Sequence, residues 1–453
     1  MSRPLGVDLF AGAGGLSLSF EQAGFDVIAA VEIDPIHCAV HEFNLPNCAV
    51  IPKSISLVSG DEIRQQAGIG KRKIDVVFGG APCQGFSLIG HRILEDPRNH
   101  LVRDFVRIIS ELKPAYFVFE NVKGLTVGKH KKFLTELLEA FGEIGYNVRS
   151  PWKVLNAADF GTPQNRERLF LLGAQKGRRL PEYPVVTVRP SGSAATSLLP
   201  AGPSCRDALD DLPDAEAFTE LLYSDEVKAS GWGKPSIFAR ELRCMDETAW
   251  HFGYKRNLTA GTLTSSARTD HSDISRRRFR STEPGTVEPI SRFFRLPPNG
   301  LSNTLRAGTD ASRGAFTSPR PIHYALERCI TVREMARLHG FPDWFRFHET
   351  KWHGARQIGN SVPPPLGRAV AAEVMIALAI IPKRPHETVM LGKPILIRMN
   401  MNRAAAYFEI PVLAGKRDRK SGNKKRKQYE IEGYDRPFTS LERFIEFSEV
   451  ILV

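Results

Sequence analysis

A strand that runs into a row of glycines, then a helix, then a second strand ending in an acid, limits this chain most. Gly6-Val-Asp-Leu-Phe10 reads as a buried strand, and residues 11–15, Ala-Gly-Ala-Gly-Gly, as a tight turn. Residues 16–23 read as a helix and 27–32 as the second strand, closed by Glu32. The alternation continues to residue 175, with strands at 74–78, 116–120 and 168–173 and helices at 102–112 and 131–144. Such alternation predicts βαβ units and a doubly wound, mostly parallel α/β sheet. Glycines at a helix N-terminus let the backbone approach a ligand, and an acid about 20 residues later suits ribose hydroxyls. An adenosine-bearing cofactor fits this end. The pattern leaves a dinucleotide and S-adenosylmethionine both open.

The character changes after Gly173. Residues 176–325 are rich in Pro, Gly, Ser and Arg, with weak periodicity. They predict a smaller, loop-rich domain with Trp232 and Trp250 in its core. From about 329 the α/β character returns, so 1–175 and 326–381 are read as one unit. Thr331 is placed to cap a helix over 332–339, with Glu334 completing a capping box. The apolar run 369–381 is too short to span a bilayer and contains Glu373, so it reads as a core helix, with no membrane association expected.

Residues 382–453 form a basic C-terminal extension. Its segment 416–427 holds eight basic residues against Asp418, which suits either a solvated segment or a phosphate-binding arm. Residues 438–453 read as a small helical element. The net charge of +12 is compatible with a polyanionic partner. Six scattered cysteines with no C-x-x-C pair argue for reduced thiols in a cytosol-like compartment, without a disulfide framework or a metal site.

Cys83 differs from the other five in its setting. It lies in Gly79-Gly-Ala-Pro-Cys-Gln-Gly-Phe-Ser87, directly after a strand, where an α/β sheet binds its ligands. Pro82 fixes the backbone before it, and a thiol there reads as a nucleophile rather than a small core side chain. Residues 117–120 run from an apolar strand into Glu120, either a structural carboxylate or a catalytic one. Gln164-Asn-Arg-Glu-Arg168 puts Arg166 and Arg168 on one side of a strand start.

These segments resemble the ordered motif set of the DNA (cytosine-5)-methyltransferases, bacterial type. Asp8 to Gly15 resembles the first motif, Gly80-Ala-Pro-Cys-Gln84 the Pro-Cys motif and Glu120-Asn-Val122 the Glu-Asn-Val motif. Gln164 to Arg168 resembles the Gln-x-Arg-x-Arg motif, and Gln357-Ile-Gly-Asn-Ser-Val-Pro363 the last one. The match covers about 1–175 and 300–381. It implies methyl transfer from S-adenosylmethionine to carbon 5 of a flipped-out cytosine in double-stranded DNA. Cys83 would be the nucleophile, Glu120 would hold cytosine N3 and the amine, and Arg166 would hold O2. Phe10, Gly12, Gly14, Glu32, Leu101, Asn360 and Ser361 would contact the cofactor. No metal is implied. Residues 84–91 would close over the DNA, with Ser87 touching a phosphate and Ile89 filling the vacated space.

The resemblance makes 176–325 the target-recognition domain, whose Arg268, Arg276, Arg277, Arg278 and Arg280 suit phosphates or guanine edges. It also implies a monomer in a bacterial cytoplasm, acting either beside a cognate restriction endonuclease or as a solitary enzyme. Three departures stand out. Ser54 occupies the position of the aspartate expected at the adenine amine, Asp61 reads as a helix cap, and His339 stands where the family often has glutamine, with little effect expected.

Overall fold

The computed structural model describes residues 3–82, 99–126, 130–194, 198–257, 259, 261–309 and 320–412. Eight strands form its main sheet: β1 (Leu5–Leu9), β2 (Asp26–Val31), β3 (Ala49–Ile51), β4 (Val76–Gly79), β5 (Tyr116–Val122), β6 (Tyr146–Val148), β7 (Lys153–Asn156) and β8 (Glu167–Gln175). Their order is β3-β2-β1-β4-β5-β8-β6, with β7 also pairing on β8. β1 to β5 pair in parallel. β8 runs antiparallel to β5, β6 and β7. The order reverses between β1 and β4, which opens a crevice beyond their carboxyl ends.

β5 shows why the sheet is covered twice. Phe117 and Phe119 pack with Phe105, Phe133 and Phe141 on one face, while Tyr116 and Val118 pack with Phe20, Leu366 and Val370 on the other. With no polar face to give to water, a parallel sheet needs helices on both sides. In the first half of the chain these are α1 (Gly15–Ala23), α2 (Pro35–Asn44), α3 (Gly60–Gln66), α4 (His100–Leu112) and α5 (His130–Glu143). The cap of α3 is Ser59, whose Oγ accepts from Glu62 N at 3.1 Å; Asp61 lies inside the first turn.

The later helices are α6 (Cys205–Leu209), α7 (Ile237–Leu242), α8 (Asp273–Ser281), α9 (Val332–His339), α10 (Lys351–Asn360), α11 (Pro364–Ala377) and α12 (Met401–Tyr407). α9 starts on the expected capping box, with Glu334 N donating to Thr331 Oγ1 and Thr331 N to Glu334 Oε2. The core helix expected over 369–381 starts earlier, at Pro364, because proline is suited to a first helical turn. It crosses α1 closely: a Cβ on Gly367 would stand 2.4 Å from Ser19 Oγ.

Packing divides the stretch 326–381. α11 covers the sheet, whereas α9 lies at the heart of a cluster with Cys205, Leu209, Trp250, Leu296, Leu305 and Tyr324. Every residue of α9 is buried. Its Arg337 reaches Asp211 at 2.8 Å and Asp343 at 2.6 Å, and its Glu334 pairs with Arg328 at 2.8 Å. The loop-rich region has helices of only five to nine residues of its own. A helix from later in the chain supplies its centre.

The described part of the extension packs on the main body. Leu396, Ile397, Met399 and Ala404 pack against Ile36, Val40 and Phe43 of α2. Gly392 N donates to Phe43 O at 2.8 Å, and Thr388–Val389 pairs in parallel with Lys255–Arg256. The basic run 416–427 and the segment 438–453 lie outside the described residues. Among the described residues, no helix is long and apolar enough to cross a membrane, no cluster could hold a metal, and Cys38, Cys48, Cys205, Cys244 and Cys329 are free thiols.

Candidate active site

Beyond β1 the backbone enters left-handed conformations, with φ of 62° at Phe10, 55° at Gly12 and 100° at Gly14. Glycine takes these angles freely; at Phe10 the cost is about 1–2 kcal/mol. A Cβ on Gly12 would meet nothing within 4 Å, so bare backbone faces open space there. Glu32 ties the loop to β2: its carboxylate accepts from Gly12 N and Asp34 N, each at 2.9 Å. The turn after α10 comes to the same place, for a Cβ on Gly15 would lie 2.9 Å from Ser361 Cβ. Asn360 is exposed beside it, and Leu101 packs with Phe10 on one apolar cluster. Phe10, Gly12, Gly14, Glu32 and Ser361 therefore meet around one loop, with Leu101 on the apolar cluster that Phe10 joins and Asn360 next to Ser361.

A polar triad underlies this loop. Buried Asp8 accepts from Ser17 Oγ at 2.6 Å, and His41 Nε2 stands 2.9 Å from the same hydroxyl. Burial pushes the Asp8 carboxyl up to about 8 and His41 down to about 4. Ser54, in contrast, caps the short helical turn Ile55–Leu57, its Oγ accepting from Ser56 N.

Across the crevice, β4 leads to Gly80 and Pro82. Cys83 and residues 84–91, with Ser87 and Ile89, lie outside the described residues. Next door, β5 presents Glu120. A Cβ on Gly80 would stand 2.4 Å from Glu120 Oε2, and Asn121 Nδ2 donates to Ala81 O at 2.9 Å. These contacts bind the Glu-Asn-Val segment to the residues just before Cys83. Arg168 Nε meets Glu120 Oε1 at 2.9 Å, with both side chains almost buried. Register explains the pair: Glu120 lies opposite Phe170 and Val122 opposite Arg168, so Glu120 and Arg168 are diagonal neighbours on one face. Burial raises the Glu120 pKa, and Arg168 and then Arg166 pull it back only in part. The carboxyl thus holds a proton more readily than a free glutamate, as suits donation to a ring nitrogen.

Arg166 sits one layer deeper and is 1% exposed. Its Nη1 donates to Leu305 O at 2.9 Å, and its Nη2 to Gly359 O and Ser361 O, each at 2.8 Å. Burial and the Arg168 cation press its pKa well down, and Glu120 opposes them only in part. The arginine on Glu120 is therefore Arg168, while Arg166, expected at the cytosine O2, holds three backbone carbonyls.

The model of the C-5 cytosine-specific DNA methylases matches residues 6–375. The chain belongs to that family. It is a DNA (cytosine-5-)-methyltransferase, and its methyl donor is S-adenosylmethionine. The Type II methyltransferase M.XorII of Xanthomonas oryzae pv. oryzae is 58% identical over 410 residues, covering 90% of this chain and 93% of that one. M1.HphI of Haemophilus parahaemolyticus is 33% identical, with coverage of 82% and 86%. A solved prophage-encoded DNA modification methyltransferase from E. coli is 32% identical, with a TM-score of 0.65, covering 83% of this chain and all of that one.

In the methyltransferase, the arginines expected to face DNA are mostly engaged internally. Arg276 pairs with Glu216, Arg278 with Glu288 and Arg280 with Glu327, while Arg268 donates to Phe218 O. Arg277 is exposed between them on α8. Three features escaped the sequence reading: the Arg168–Glu120 pair, the Asp8–Ser17–His41 triad and the bonds of His339. Only the first had a signal, the i, i+2 spacing of the two arginines, and choosing between them required the strand register.

Proposed function

We propose that the methyltransferase works through a covalent Cys83 adduct on a cytosine turned out of double-stranded DNA. The observation that carries this is the contact between Gly80 and Glu120, three residues before the thiol. The donor supplies an electrophilic methyl group, and carbon 5 of cytosine is too poor a nucleophile to take it unaided. The Cys83 thiolate adds to carbon 6, and the ring π electrons move toward carbon 5. Glu120, with its raised pKa, gives a proton to N3 and so neutralises the charge that the addition creates. After carbon 5 has gained the methyl group it loses its proton to water, the carbon 5–carbon 6 double bond re-forms, the carbon 6–sulfur bond breaks to release the Cys83 thiolate, and N3 returns its proton to the Glu120 carboxylate. Cytosine within a stack cannot reach such a crevice, so it must be extruded.

Arg168 orients Glu120 at the O2 side of the ring. Arg166 braces the segment behind it. The crevice residues fit the donor: Gly12 and Gly14 would give its amino-acid end backbone and room, and the Glu32 carboxylate would accept from ribose hydroxyls. Asn360 and Ser361 close the cradle, with Phe10 and Leu101 as its apolar wall. The named Type II relatives support a restriction-modification role; an endonuclease of matching specificity, a bacterial cytoplasm and a monomeric methyltransferase complete this reading.

The test is incubation with labelled S-adenosylmethionine and sequence-diverse duplexes containing 5-fluorocytosine, beside Cys83→Ser. Fluorine cannot leave carbon 5 as a proton, so an adduct accumulates. A labelled covalent complex that is lost in Cys83→Ser supports the mechanism. An adduct that survives the substitution would sink it.

A further inference from the structure

We propose that His339 is a positioning residue that couples the target-base side of the crevice to its donor side. The inference rests on the reading of Asn360 and Ser361 as donor contacts. His339 ends α9 and is wholly buried. Its Nε2 lies 3.1 Å from Ser361 O and its Nδ1 2.9 Å from Gln164 Nε2. A carbonyl can only accept and an amide nitrogen can only donate. The imidazole is therefore neutral with its proton on Nε2, a donor to Ser361 and an acceptor from Gln164.

Neighbouring groups hold that state. Burial drives the His339 pKa well below its ordinary value, and the Arg166 and Arg168 cations add to the effect. The Gln164 amide cannot turn to suit a charged ring, because its Oε1 already accepts from Leu305 N at 3.1 Å. Ser361 O thus receives two donors, His339 and Arg166. Gln164 and Arg166 belong to the segment that ends in Arg168, the partner of Glu120. A shift of the imidazole displaces the Asn360–Ser361 turn, which touches the glycine loop at Gly15. The family's glutamine has the same donor–acceptor pair at the same spacing, whereas an apolar ring has neither.

Calorimetry with S-adenosylmethionine gives affinity and the fraction of competent sites separately, and methyl transfer at saturating donor gives kcat. His339→Phe keeps the ring, which stacks on Phe341, and should weaken donor affinity about tenfold, the weight of one buried hydrogen bond. Its competent fraction should stay whole, and His339→Gln should restore the affinity. Unchanged affinity in His339→Phe, or equal loss in Phe and Gln variants, overturns the proposal. If the Phe variant does not fold, His339→Asn, one methylene too short to span both partners, takes its place with the same expectation. Asn360→Ala separates the two readings. Weaker donor binding there with none in His339→Phe refutes the coupling alone. No weakening in Asn360→Ala removes the donor assignment and the coupling together.

Discussion

Replacing Gly80 with alanine isolates the position of Glu120 from the rest of the fold. The new Cβ would stand 2.4 Å from Glu120 Oε2, about 1 Å inside ordinary contact. Gly80 does not use a positive φ, so its backbone accepts alanine and relief must come from the carboxylate. Glu120 cannot retreat without stretching its 2.9 Å contact with Arg168. A charge-assisted bond of this kind contributes about 1.5–3 kcal/mol, and alanine returns about 0.4–1 kcal/mol through the unfolded chain. The net loss of stability is about 1–2 kcal/mol, a few degrees in Tm. Activity should suffer more, since misplacing a reacting group by about 1 Å costs about 10²-fold. Initial rates of tritiated methyl transfer to mixed DNA, measured beside thermal melting, separate the two effects. Gly79→Ala is the contrast: its Cβ would meet Leu9 O at 2.0 Å, which breaks the β1–β4 pairing, so that variant should lose Tm first. A Gly80→Ala protein that melts normally and keeps its kcat would refute the idea that this contact aims Glu120.

The two arginines should part company. Arg166→Met strands the Leu305 and Gly359 carbonyls and leaves Ser361 O to His339 alone, which is expected to cost about 2–5 kcal/mol in urea unfolding, whereas Arg168→Met should lower kcat about 10²-fold with a smaller loss of stability; the reverse ranking would overturn the assignment. Asp8 predicts a pH dependence. Its folded pKa of about 8 lies above the unfolded value of 3.8, so its stabilisation is complete below pH 4 and is lost as pH rises through about 8. Asp8→Asn should flatten that slope, on the order of a few kcal/mol, in urea midpoints taken across the window, and parallel curves for the two proteins would count against it. Leu396→Ala, at a 3% exposed position in the extension, should cost about 2–5 kcal/mol if 388–412 is part of the folded unit; an unchanged unfolding midpoint would make that segment an appendage.

Much of the fold was legible in periodicity. β1, β2, β5 and α9 follow from apolar runs with clear ends, and the Thr331–Glu334 capping box fixes its helix to the residue. α2 was missed because polar His37, His41 and Asn44 interrupt its pattern; all three turn inward, His41 and Asn44 onto named partners. The extension was unreadable for a related reason. Its apolar residues are few, and they make sense only against Phe43 and Val40, some 350 residues earlier. Local pattern brought Cys83, Glu120 and Arg166 to one region, but which arginine faces the acid depends on pairing between β5 and β8. Nothing local marks His339, whose two partners come from distant segments.

The return of α11 to α1 has a consequence for how the molecule is made. The sheet is fully synthesised by Gln175, yet the helix that covers its Phe20–Phe78 face begins only at Pro364. Roughly 190 residues emerge in between, which takes about 10–40 s at ordinary rates of translation. Throughout that interval a completed sheet carries an apolar face with half its cover missing. The loop-rich region waits far less, since α9 starts at Val332, just after it. Neither half can finish its core before the other is nearly made, so a truncated or stalled chain should be a client of chaperones rather than a smaller enzyme.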